Sequence, residues 1–78
     1  MQQVIAGRVV IQRHVSPKDR QSWLICLEME NGTSVTLGFD RGTGARRDQL
    51  IALEGQACEL IGRFGRHIFL VQEVVPLE

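Results

Sequence analysis

Hydrophobic and polar residues alternate with a period of two along most of the chain. From Val4 to Val15, one side carries Ile5, Gly7, Val9, Ile11, Arg13 and Val15, and the other Val4, Ala6, Arg8, Val10, Gln12 and His14. That pattern predicts a long strand with one apolar and one mixed face. Gly7 offers no side chain to pack and marks a bend where the strand curls. Ser16-Pro17-Lys18-Asp19 breaks the pattern as a turn. A second strand follows from about Ser22 to Glu30, with Trp23, Ile25, Leu27 and Met29 on one face. Asn31-Gly32 predicts a two-residue type I′ hairpin, because both residues tolerate positive φ. The third strand, about Thr33 to Asp40, turns Val35, Leu37 and Phe39 inward.

The period then changes. Between Ala45 and Glu54, Leu50, Ile51 and Leu53 gather on one side of a helix and Asp48, Gln49 and Ala52 cover the rest. Thr43 is read as its N-cap and Gly55 as its stop. Two more strands, about Gln56 to Phe64 and His67 to Val75, flank Gly65-Arg66, which suits a type II′ turn with glycine first. Their inward phase stays open: Ile68, Leu70 and Val74 compete with Phe69, Val71 and Val75, as a strand buried on both sides would show.

The order is three strands, a helix of about residues 45–54, and two strands, with no internal repeat, in a single domain spanning 1–78. This order, together with the run from Leu53 to Phe64 (LEGQACELIGRF), resembles the OB-fold superfamily, a small five-stranded Greek-key barrel that binds oligonucleotides and oligosaccharides. The resemblance spans nearly the whole chain and points to no family within the superfamily. An SH3-like small barrel is the alternative fold. The resemblance implies a ligand across the outer face of strands two and three, with the first-to-second and fourth-to-fifth strand loops as jaws.

Charge gives those jaws their content. Nine basic and nine acidic side chains cancel, yet eight of the nine basic residues fall in three windows. These hold Arg13, Lys18 and Arg20; Arg41, Arg46 and Arg47; and Arg63 and Arg66. Arginine outnumbers lysine eight to one, and guanidinium groups grip phosphate in bidentate fashion and stack on bases. Under the resemblance, Arg13, Lys18, Arg20, Arg63 and Arg66 lie in or beside the jaws and Arg41 adds to them, while Arg46 and Arg47 belong to the helix start.

Aromatic platforms are few: one tryptophan, three phenylalanines and no tyrosine. Trp23 and Phe39 share the apolar phase of their strands and are assigned to the core. Phe64, beside a jaw, and Phe69, outward in one of the two open phases, are the stacking candidates, and His14 and His67 are further candidates to stack or contact phosphate.

Other chemistry finds little support. No phosphate-binding loop, nucleophile elbow or paired carboxylates are apparent, so no enzymatic activity and no cofactor are expected. His14, Cys26, Cys58 and His67 lack short zinc-type spacing, so no metal is expected. Cys26 and Cys58 are read as buried free thiols. No apolar run is long enough to span a bilayer, and MQQVIAGRVV lacks the features of a signal peptide, so a cytoplasmic address is expected. The leading expectation is a non-catalytic module binding single-stranded DNA or RNA with weak sequence preference. The runner-up is a protein-interaction module or subunit of a larger complex, with Leu24 and Val10 at its apolar centre. A small-molecule or oligosaccharide site ranks third.

Overall fold

The computed structural model describes residues 1–15, 21–40 and 44–77. Six elements follow in the expected order: β1 (Gln3–Val15), β2 (Gln21–Glu28), β3 (Ser34–Gly38), α1 (Gly44–Ala52), β4 (Ala57–Phe64) and β5 (Phe69–Pro76). The strands pair round a ring in the order β1-β2-β3-β5-β4, and β4 pairs again with β1. Four junctions are antiparallel; β3 and β5 run parallel where Leu37 meets Phe69 and Gly38 meets Leu70. A mainly β chain with one helix between its third and fourth strands is compatible with an OB-like barrel. The predicted turn at Ser16–Asp19 and the Thr43 cap lie outside the described residues.

β1 serves two neighbours. Its residues from Gln3 to Arg8 pair with β4, and those from Arg8 to Val15 pair with β2. Gly7 sits where the partners change. A Cβ there would collide with the Glu28 carbonyl and press on the Leu27 side chain. The expected bend is thus a close approach of two backbones that a side chain would block.

Inward alternation builds the core from Ile5, Val9 and Ile11 of β1, Ile25 and Leu27 of β2, Leu37 of β3, Cys58 and Leu60 of β4, and Phe69 and Val71 of β5. Leu50 of α1 completes it, with Val35, Phe39, Ile51, Leu53 and Val74 packed around the edge. Each fully buried side chain of this kind contributes about 1.5–3 kcal/mol, so burial dominates over the single ion pair found among the described residues. Trp23 departs from expectation: it shares the phase of Ile25 and Leu27 but is 38% exposed. Cys26 and Cys58 are buried free thiols, and burial pushes the Cys58 thiol pKa upward.

Both hairpins differ from prediction by one residue. In the first, the Met29 N–H donates to the Thr33 carbonyl (2.9 Å) and the Gly32 N–H to the Met29 carbonyl (3.0 Å). Gly32 has φ 85°, and Asn31 Oδ1 accepts the Thr33 N–H at 2.9 Å. This is a three-residue loop with a left-handed glycine, not the two-residue type I′ turn, so β2 ends at Glu28 rather than Glu30. In the second, the Gly65 N–H donates to the Ile68 carbonyl (2.7 Å), which centres the turn on Arg66 and His67. Gly65 does not take positive φ, so the glycine-first type II′ turn does not form. Phe64 pairs with Phe69.

A β-bulge resolves the phase of β5. Gly62 pairs with Val71 but its neighbour Ile61 pairs with Glu73, leaving Gln72 as the extra residue. Before the bulge Phe69 and Val71 face in; after it Val74 packs on the core and Val75 is exposed. The two competing series are both right, on opposite sides of the bulge. Phe69, a stacking candidate in one of the two open phases, is fully buried and so is not a stacking platform. Arg46 Nε donates to the Gln72 carbonyl at 3.2 Å, so the helix supplies a partner for the bulged backbone. Arg46→Ala is expected to cost about 1–2 kcal/mol, read as a lower urea midpoint at constant slope, because that part-buried carbonyl loses its donor.

The helix ends at Ala52, two residues before the predicted Glu54, and Gly55 lies in the turn that follows it. Gly55 has φ 83°, its N–H donates to the Val9 carbonyl (2.8 Å), and the Val9 N–H donates to the Gln56 carbonyl (3.1 Å). The Arg8 guanidinium donates to the Gly55 carbonyl, fixing the helix exit against β1.

Candidate nucleic-acid interface

The β4–β5 hairpin carries four of the expected site residues. On β4, Cys58, Leu60 and Gly62 face in, so Arg63 turns outward. It pairs with Leu70, which lies beside Gly38 on β3. The β2–β3 register, continued two residues beyond Cys26–Thr36, sets Leu24 opposite Gly38, and Leu24 pairs with Gln12. An outward row therefore runs from Arg63 through Leu70, Gly38 and Leu24 to Gln12. A Cβ on Gly38 would strike Ile68 Cδ1, which places the Ile68 side chain over that glycine. Beside the row lie Val10, Cys26 and Thr36, paired with one another.

Arg66 and His67 are exposed at the turn. Phe64 is 49% exposed and meets Phe69 edge-on, with ring centroids 5.0 Å apart at 77°. The buried ring thus braces the exposed one, which limits the ordering entropy a stacking base would have to offset. Neither Arg63 nor Arg66 forms an ion pair among the described residues.

Arg13 is placed differently. It shares the inward phase of Val9 and Ile11, so it turns to the opposite side of the sheet from Arg63. Its guanidinium binds both carboxylate oxygens of Glu54 at 3.0 and 2.8 Å, and its carbon lies 5.0 Å from the Trp23 ring centroid. The hydrogen bond from Arg13 holds the Glu54 carboxyl below its ordinary pKa, and the same bond raises Arg13. A carboxyl lowered on folding contributes stability above its unfolded pKa, and that contribution disappears as pH falls through the folded value. Arg13→Ala is therefore expected to flatten the decline of Tm on acidification below the ordinary value of 4.5, with a small effect at neutral pH. Thermal melts between neutral pH and about pH 3 check this.

Lys18, Arg20 and Arg41 lie outside the described residues. Arg46 is committed to Gln72 and Arg47 is exposed on the helix. Arg63, Phe64, Arg66 and His67 share the β4–β5 hairpin, but Phe64 takes the side of its partner Phe69 and Arg63 the opposite one. Arg13 lies on another strand and faces away from Arg63. Sequence reasoning missed Ile68 and Leu70 as part of this face, because the bulge left the phase of β5 undecided. It also missed the Arg13–Glu54 pair, which spans 41 positions and has no local signal.

Among the described residues, no group of three or more His, Cys, Asp or Glu side chains is placed to hold a metal, and no helix is long and apolar enough to cross a membrane. No protein-family model matches the chain, and no curated protein or solved structure resembles it significantly.

Proposed function

We propose that the chain is an OB-fold-like Greek-key barrel that binds single-stranded DNA or RNA, without catalysis and with weak sequence preference. The observation that carries this reading is the β4–β5 hairpin, where Arg63 and Arg66 are exposed without an ion pair among the described residues and Phe64 is half-exposed at the hairpin end. The two guanidinium groups would neutralise successive phosphates while the Phe64 ring receives a base. Lys18, Arg20 and Arg41 join the grip through the loops assigned by the OB-fold resemblance, and His67 adds a contact at the turn. Arg13 contributes less than expected, because Glu54 already compensates its charge. Fluorescence anisotropy with short labelled DNA and RNA strands tests the reading. Micromolar binding at low salt that is lost in an Arg63→Ala/Arg66→Ala variant supports it, and no binding to any single strand at low salt overturns it.

A second reading rests on the apolar content of the same outer face. Leu24 is 39% exposed and is flanked by Val10, Leu70 and Ile68, an apolar centre of the kind that protein interfaces bury. A module that joins a larger complex this way would lose its protein partner in Leu24→Glu, measured by co-purification. Retention of the partner in that variant removes Leu24 from the interface.

A further inference from the structure

We infer that a groove between β1 and the β2–β3 hairpin accepts an extended basic peptide as an added strand. From Gln3 to Ala6, β1 pairs on one edge with β4; the Glu28 backbone closes on Gly7, and pairing with β2 begins at Arg8. Among the described residues no strand pairs with the other edge of Gln3 to Ala6. In an antiparallel arrangement alternate residues turn their N–H and C=O to each edge, so the open side offers backbone donors and acceptors over about 13 Å, at roughly 3.3 Å per residue. Such an edge is a template for strand addition.

The groove beside it has a volume of about 730 Å³. Val4 and Ala6 line it from β1, Glu28, Met29 and Glu30 from the β2–β3 hairpin, and Leu77 from beyond the end of β5. Val4 and Leu77 are 59% and 52% exposed, an unusual openness for apolar residues beside a cavity. Glu28 and Glu30 have no ion pair among the described residues. Arg8, the basic group in the lining, is already committed to the Gly55 carbonyl. The occupant that fits has a backbone to satisfy the edge, small apolar side chains for Val4, Met29 and Leu77, and cationic side chains for the two glutamates. A nucleic-acid strand is disfavoured by the acidic wall, so this groove and the Arg63–Arg66 hairpin take ligands of opposite charge.

The probe is a labelled octapeptide alternating valine and lysine, titrated into the full chain at low salt. Saturable binding is expected, weakened at least tenfold in Glu28→Lys/Glu30→Lys. A peptide N-methylated at alternate valines is expected to lose binding as well, because it cannot donate to the strand edge. Both substituted residues are exposed, and circular dichroism confirms that the variant is folded. Equal binding by the N-methylated peptide overturns strand addition. Equal binding by a valine–glutamate peptide, or no binding by the valine–lysine peptide, overturns the assigned occupant. Self-association that the peptide does not compete with, and that Val4→Arg abolishes, assigns the groove to a second copy of the chain and overturns the proposal.

Discussion

Replacing Gly62 by alanine is expected to lower the unfolding free energy by about 3 kcal/mol, and valine there is expected to prevent folding. An added Cβ would overlap the Leu70 carbonyl oxygen and lie 2.9 Å from its carbon and 3.0 Å from the Phe69 ring. The oxygen belongs to the backbone, so no rotamer change relieves the overlap. The two strands must separate beside the bulge, which disturbs the Gly62–Val71 and Arg63–Leu70 pairs together. For a domain of this size the loss corresponds to a fall in Tm of about 12–24 °C. Gly44→Ala at the start of α1 is the control. Nothing lies within 4 Å of its built Cβ, and reduced freedom of the unfolded chain is expected to leave stability equal or up to about 1 kcal/mol higher. Urea unfolding of the two variants measures both. A Gly62→Ala midpoint equal to wild type would refute the close approach at the bulge.

That bulge also marks where the sequence stopped being readable. The alternation of Ile5, Val9 and Ile11, of Ile25 and Leu27, and of Val35 and Leu37 identified the inner faces of β1, β2 and β3, because a one-residue slip would expose the whole apolar set. The change to a helical period at Leu50, Ile51 and Leu53 was equally legible, although the helix ends at Ala52 and Gly55 takes its positive φ in the turn beyond it. In β5 the signal failed for a physical reason. One inserted residue, Gln72, reverses the alternation in mid-strand, so any single period fits only half of Phe69–Pro76. The hairpins failed for a related reason. Glycine marked the neighbourhood of each turn, but the hydrogen bond of Met29 with Thr33 set the length of the first loop and that of Gly65 with Ile68 set the position of the second. Trp23 was misjudged because position in the alternation says nothing about the end of a strand. There the phase of the core continues into solvent, where Arg13 meets Glu54 and the Trp23 ring. At the candidate interface, Arg63, Phe64, Arg66 and His67 could be assigned to one hairpin because they fall within residues 63–67. The facing of their apolar neighbours Ile68 and Leu70 was not readable, since it depends on the bulge.

Arg63→Ala/Arg66→Ala is expected to make oligonucleotide binding less sensitive to salt as well as weaker. Each phosphate neutralised on a single strand contributes about 0.7 to the slope of log K against log salt, so two lost contacts make the slope shallower by about 1.4. Between about 50 and about 200 mM salt, wild type should therefore lose roughly sevenfold more affinity than the double variant. The two arginines are suited to this measurement because both are exposed and neither is engaged in an ion pair among the described residues, so no internal carboxylate is left behind when they are removed. Phe64→Ala separates stacking from charge. It removes a ring that stacks on a base but touches no phosphate, so affinity should fall by about 1 kcal/mol or more while the slope stays at the wild-type value. Arg13→Ala supplies the converse control: with Glu54 already holding its guanidinium, and its side chain turned to the other side of the sheet, both affinity and slope should change little. If the double variant keeps the wild-type slope, Arg63 and Arg66 do not contact phosphate. If Arg13→Ala flattens the slope as much as the double variant does, the grip lies at the helix-exit end of β1 and not on the β4–β5 hairpin.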